Sequence, residues 1–148
     1  MDNSLSSAEL LVSCMKRIYD SGLTTTSGGN LSVLEEDGTL VITPAGIDKG
    51  TLTAADISRV TPDDVCTGPH MPSSELPFHQ RIYRTRPDIR AILHAHPPSL
   101  LTFSAVGRLP NAGLLPGAEQ LCGKLSLAPY ALPGSAELGE KLAAEFAK

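Results

Sequence analysis

The chain has 148 residues, 41% hydrophobic and 19% charged, with 16 acidic against 12 basic side chains and a formal net charge of −4. That length suits one domain burying roughly 70% of its unfolded surface, and the apolar share excludes global disorder. No apolar run approaches the ~20 residues of a spanning helix, the acidic balance argues against nucleic acid, and Met1-Asp-Asn-Ser-Leu5 has neither the basic region nor the apolar core of a secretory signal.

The first helix is expected over residues 6–20. Ser6 and Glu9 form a capping box, Leu10, Leu11, Cys14 and Ile18 keep a helical period, and Gly22 ends it as a C′ residue. Leu31–Leu34 and Thr39–Thr43 are β-type runs flanking Glu35-Glu-Asp-Gly38, which predicts a hairpin, and Ile57–Val60 predicts another strand. Ser73-Ser74-Glu75 opens a helix that Pro87 stops near Arg86. Ala91–His96 then reads as a strand, ended by Pro97-Pro98, which starts a helix over Leu100 to Val106. Leu125–Leu127 is a further expected strand. Ser135 caps a last helix over Ala136 to Lys148, with Leu138, Leu142 and Phe146 on one face. Helices alternating with short strands predict an α/β layer structure, and the hairpin makes its sheet at least partly antiparallel.

Four places in this pattern can carry chemistry. On a strand, His94 and His96 project to the same face, so their imidazoles either hold a divalent cation such as Zn²⁺ or form an ordinary pocket pair. Glu75 sits where helix capping alone would explain it. Yet its helix feeds into the histidine strand, where a carboxylate beside a metal would serve as a base. Gly28-Gly29-Asn30 reads as a plain turn or as a nest of N–H groups for an anion. With Thr43-Pro-Ala-Gly46 and Ser73-Ser74, it would supply small donors for a phosphate. His79, one turn after Glu75, reads as a spare ligand, as a packing residue or as one that orients Glu75.

The remaining polar residues suggest no chemistry. Arg81, Arg84, Arg86 and Arg90 read as a solvated face, and His70 as a solvent-facing loop residue. Cys14, Cys66 and Cys122, odd in number and widely spaced, read as reduced thiols of a cytoplasmic protein.

Taken in order, Ser27-Gly-Gly-Asn-Leu-Ser32, Ile42-Thr-Pro-Ala-Gly46, Pro72-Ser-Ser-Glu75, Arg86-Pro-Asp88, His94-Ala-His96, Ala128-Pro-Tyr130 and Pro133-Gly-Ser135 make the chain resemble the class II aldolase/adducin family, in its L-fuculose-1-phosphate aldolase-like branch. The resemblance implies a three-layer α/β/α fold around a central mixed, largely antiparallel sheet, formed by residues 1–148 as a single domain. It implies that Gly29, Asn30, Gly46, Ser73 and Ser74 bind a substrate phosphate. It implies that His94 and His96 are two of three ligands of Zn²⁺ or another divalent metal, and that Glu75 is the catalytic acid/base. The implied activity is cleavage of a small phosphorylated ketose, such as a fuculose-1-phosphate-like sugar, through a metal-stabilised enediolate. Sugar-phosphate epimerases, dehydratases and non-catalytic adducin-like members are the family's other roles. The implied assembly is a homotetramer.

The sequence departs from the family pattern in three places. Ala45 stands where a hydroxyl-bearing phosphate ligand is expected, no tyrosine lies near Leu114 or Leu115, and the third metal histidine is expected beyond Lys148, in a C-terminal part that this chain lacks.

Overall fold

The computed structural model describes residues 5–114 and 117–148, except the side chains of Glu119 and Cys122. Helix α1 (Ser7–Asp20) starts on the expected capping box: Ser6 Oγ accepts from the Glu9 amide at 3.3 Å, and the Glu9 carboxylate accepts the Ser6 N–H at 2.8 Å. Its buried stripe is Leu11, Met15 and Ile18, at i, i+4 and i+7. Leu10, expected on that stripe, faces away and is 46% exposed.

Strands β1 (Asn30–Leu34), β2 (Leu40–Ile42), β3 (Ser58–Val60), β4 (Cys66–Thr67) and β5 (Ala91–His94) form one sheet in the order β4-β3-β2-β1-β5. Every described pairing is antiparallel, including the β1–β2 hairpin. Leu40-Val41-Ile42 is apolar throughout because β2 is covered on both faces, and its side chains alternate between them. Val41 joins Leu31, Leu52 and Ile57 beneath α1. Leu40 and Ile42 join Val60 and Tyr83 on the opposite face, where α2 (Leu76–Thr85) and α5 (Ala136–Phe146) pack. The layers are α, β and α, as expected.

Several predicted boundaries move. β5 ends at His94, not His96, because the His96 amide leaves the ladder to donate to the Leu23 carbonyl at 2.8 Å. Helix α3 (Pro98–Ala105) starts at the proline pair but buries no residue, leaving Leu100, Leu101 and Phe103 exposed. A short helix α4 (Ala118–Cys122) follows, a piece too brief to show a period in the sequence. Residues 125–127, expected as a strand, are irregular, and Ser126 Oγ is tied to the Glu145 carboxylate of α5 rather than to the sheet. Cys14 and Cys66 are free thiols, while the Cys122 side chain and Leu115 lie outside the described residues. No helix among the described residues is long and apolar enough to cross a membrane.

Helix α5 begins on its expected cap, with Ser135 Oγ accepting from the Leu138 amide at 3.1 Å. Its contact face is centred on buried Gly139 and Ala143, while Phe146 is 44% exposed. A methyl group on Gly139 would lie 3.4 Å from Phe78 Cα and 3.5 Å from Arg81 Cβ, ordinary contact distances that leave no room for more. Gly139→Ala should therefore hold or raise the thermal midpoint, since alanine is about 1 kcal/mol better than glycine within a helix. Gly139→Leu should lower the midpoint by prying α5 from α2. Differential scanning calorimetry of both variants checks the pair.

Candidate active site

One cleft of about 660 Å³ collects Gly29, Asn30, Gly46, Ser73, Ser74, Glu75, His94 and His96, the phosphate, metal and acid/base residues expected from the sequence, while His79 lies outside its wall. Three loops laced together by backbone hydrogen bonds shape it. The Ala45 amide donates to the Met71 carbonyl at 3.0 Å, the Ser73 amide to Thr43 at 3.1 Å, and the Lys49 amide to Thr26 at 2.9 Å. These backbone bonds hold the small-donor segments in one place.

The glycine pair is demanded by close approach. A Cβ on Gly28 would lie 2.8 Å from His96 Nδ1, and one on Gly29, which sits at φ +67°, would lie 2.7 Å from the His94 carbonyl oxygen. Only a chain without side chains fits between the two histidines and Thr24–Thr25. The register completes the placement, because Asn30 on β1 pairs directly with His94 on β5.

His94 Nε2 and His96 Nε2 face each other at 3.1 Å although His96 has left the strand. A tetrahedral ion bound at the usual Zn–N distance would hold two nitrogens about 3.3 Å apart, so this pair fits two of its positions. Burial, with the nearby charge of His96, holds His94 down to about 4, so at neutral pH it is the uncharged imidazole a cation needs. Its Nδ1 is buried without a partner. Among the described residues no group of three or more His, Cys, Asp or Glu side chains is placed to hold a metal.

Glu75 is not a capping residue in the ordinary sense. It occupies the N-cap position of α2, but its side chain makes no cap bond, and Oε2 accepts instead from the Gly134 amide at 3.1 Å across the cleft. One carboxylate oxygen is therefore fixed by the Pro133-Gly134-Ser135 turn.

Of the three readings of His79, packing holds. Its ring does not orient Glu75; it is wholly buried, with Nε2 2.5 Å from Asn30 Oδ1 and Nδ1 2.7 Å from Ser32 Oγ. Ser32 Oγ in turn lies 2.8 Å from the Tyr83 hydroxyl, which also reaches the Ser32 carbonyl at 3.1 Å. Burial, reinforced by His94, holds His79 down to about 3, so it is neutral with a single N–H. With Asn30 Oδ1 as acceptor, that proton sits on Nε2, and Nδ1 accepts from Ser32. The Asn30 amide nitrogen is then the group left for the cleft. Ser32, Tyr83 and Lys49, which also lines the cleft, were not legible as site residues. The available signal was polar side chains at alternate positions of an apolar strand, Asn30 and Ser32, matched by His79 and Tyr83 one helical turn apart.

Elsewhere the plain explanations hold or shift. Arg81 pairs with Glu140 at 2.8 Å, and Arg86 pairs with Asp88 and donates to the Phe146 carbonyl. His70 is not simply solvent-facing: it is half-buried, with Nε2 3.1 Å from Asp56 Oδ1.

The model of the class II aldolase and adducin N-terminal domain matches residues 9–148, and the chain belongs to that family. Over 129 residues it is 38% identical to a 3-oxo-tetronate 4-phosphate decarboxylase of Pectobacterium atrosepticum, covering 84% of this chain and 59% of that protein. It is 34% identical over 122 residues to an L-fuculose phosphate aldolase of Escherichia coli, covering 82% of this chain and 56% of the other. A solved L-fuculose 1-phosphate aldolase superposes with a TM-score of 0.84 at 31% identity, covering 97% of this chain and 68% of that one. The chain thus spans about three fifths of the length of these curated relatives, 59% and 56%.

The buried histidine sets a pH dependence. An unfolded His79 titrates near its ordinary 6.5 and the folded one near 3, so between those values the unfolded chain holds a proton that the folded chain lacks. Stability therefore falls as pH drops through that window, by up to about 1.4 kcal/mol per unit from this residue. Urea unfolding at pH about 7 and about 5 should show a loss to which His79 and His94 each contribute roughly 2 kcal/mol, and His79→Gln, whose amide can bridge the same partners, should remove about half of it.

Proposed function

We propose that the chain is the metal- and phosphate-binding part of a carbon–carbon lyase acting on a small phosphorylated sugar or sugar acid. The observation that carries this is the meeting of Glu75, the His94/His96 pair and the laced donor loops in one cleft. The loop donors, Asn30, Ser73, Ser74 and the Gly29 and Gly46 backbones, suit the phosphate. His94 and His96 suit a divalent cation, Zn²⁺ or another, whose remaining protein donor comes from outside the described residues.

When bound, the cation would act as a Lewis acid toward a substrate carbonyl or hydroxyl oxygen. The phosphate end fixes the distance from the loops to the reacting carbons, so binding energy is used for orientation. Glu75 is placed to move the proton at the carbon that carries charge after the bond breaks, with its other oxygen steadied by Gly134. Retro-aldol cleavage of a ketose phosphate and loss of CO₂ from a 3-oxo acid phosphate both leave charge on the carbon beside a carbonyl. The same groups therefore serve both reactions, and the names of the similar proteins include both. An intact Glu75 and histidine pair speak against an adducin-like scaffold. The exposed apolar side chains of α3 support a homo-oligomer, which we expect to be a tetramer.

Supplied with Zn²⁺, the protein should release aldehyde or CO₂ from members of a panel of ketose phosphates and 3-oxo sugar-acid phosphates. Glu75→Gln should keep the metal and lose about 10²- to 10⁴-fold in turnover, the usual share of a general acid/base. Undiminished turnover in that variant would remove Glu75 from its role, and a metal-loaded protein that turns over nothing on the panel would count against the lyase.

A further inference from the structure

Lys49 is 2% exposed, yet it lines the cleft beside the anion-type loops. Its Nζ donates to the Pro44 carbonyl at 2.7 Å, and its backbone amide is tied to Thr26, so the side chain bridges two of the three loops. Among the described residues the ammonium forms no salt bridge. The adjacent carboxylate of Asp48 accepts from the Gly50 amide at 2.8 Å and acts on Lys49 only through space, an attraction that burial outweighs. A buried ammonium with three donors and one neutral acceptor is unfavourable unless an anion joins it, and burial indeed pulls Lys49 below its ordinary range. A lysine kept only to bond a carbonyl would gain nothing from its charge. The other donors facing this end of the cleft, the Asn30 amide, the Ser73 and Ser74 hydroxyls and the glycine N–H groups, are all neutral. They can shape a site for a phosphate but cannot balance it.

We propose that Lys49 is the charged ligand of this cradle and selects substrates that end in a phosphate dianion over uncharged sugars, an assignment resting on the phosphate role of the loops given above. Nothing in the family pattern read from the sequence pointed to it. The geometry alone does, because a lysine lies in the wall of the cleft with an open valence for an anion.

Inorganic phosphate is the probe, read by calorimetric titration and by the phosphate-dependent rise in melting temperature of the chain. Lys49→Met fills the same stem without the charge. It should melt no lower than the wild type in phosphate-free buffer, and its phosphate affinity should fall by roughly tenfold or more, the scale of a charge-assisted hydrogen bond. Lys49→Gln keeps an N–H for the Pro44 carbonyl and should show the same loss, which covers the case in which methionine disturbs the loop. Ser73→Ala probes the cradle independently. If the wild type and Lys49→Gln bind phosphate equally while Ser73→Ala weakens it, the cradle stands and the role of Lys49 is overturned. If binding ignores all three substitutions, or the wild type binds none, the phosphate role of the loops fails and Lys49 falls with it. A lower melting temperature for both Lys49 variants with an unchanged phosphate response marks a structural lysine and equally overturns the proposal.

Discussion

The burial of a neutral histidine between a strand and a helix is the constraint on which the rest of the structure depends. His79 is fully enclosed, and both ring nitrogens must find partners there. They find Asn30 and Ser32, two residues apart on the α2-facing side of β1, and Tyr83 closes the chain of bonds from the next turn of the helix. A polar seam of this kind is favourable only when every member is satisfied, so it permits one register of α2 on the sheet. That register also sets which side of Asn30 is available to the cleft. Packing and binding chemistry are therefore decided by the same proton.

Around the seam, the cleft is assembled by steric necessity. Gly28 and Gly29 admit the His96 ring and the His94 carbonyl at distances that no side chain would allow, and the β1–β5 register sets Asn30 across from His94. The result places the His94 and His96 imidazoles beside a group of neutral donors, with Glu75 held from the far side by the turn into α5. Charge is scarce in this arrangement. Low polarity strengthens each interaction that a ligand makes within it, and it makes the one buried ammonium, Lys49, conspicuous.

Much of this was legible in the chain. The capping box at Ser6 and Glu9, the hairpin around Glu35–Gly38, the stop at Pro97-Pro98 and the Ser135 cap are local devices, and each appears where the residues place it. The small-residue loops, Glu75 and the histidine pair carry a chemistry readable from residue type and spacing, and they do meet in one cleft. What was not legible had no local signature. Strand β4 has two residues, α4 has five, and residues 125–127 look like a strand but find no pairing. That His79 packs was readable from its place one turn after Glu75, but its partner was not, since its ring points to a strand 49 residues earlier in the chain.

The sequence by itself determined which residues are able to bind an anion, ligate a cation or move a proton, and where the capped helices α1 and α5 begin, because those properties rest on side-chain chemistry and on contacts within a few residues. The tertiary structure decided the rest: which face of Asn30 is free, why two glycines must stand side by side, and that Lys49 is buried in the wall of the cleft with no salt bridge among the described residues. Those outcomes rest on close approaches between segments remote along the chain. That a Cβ on Gly29 would lie 2.7 Å from a strand 65 residues away leaves no trace in local composition.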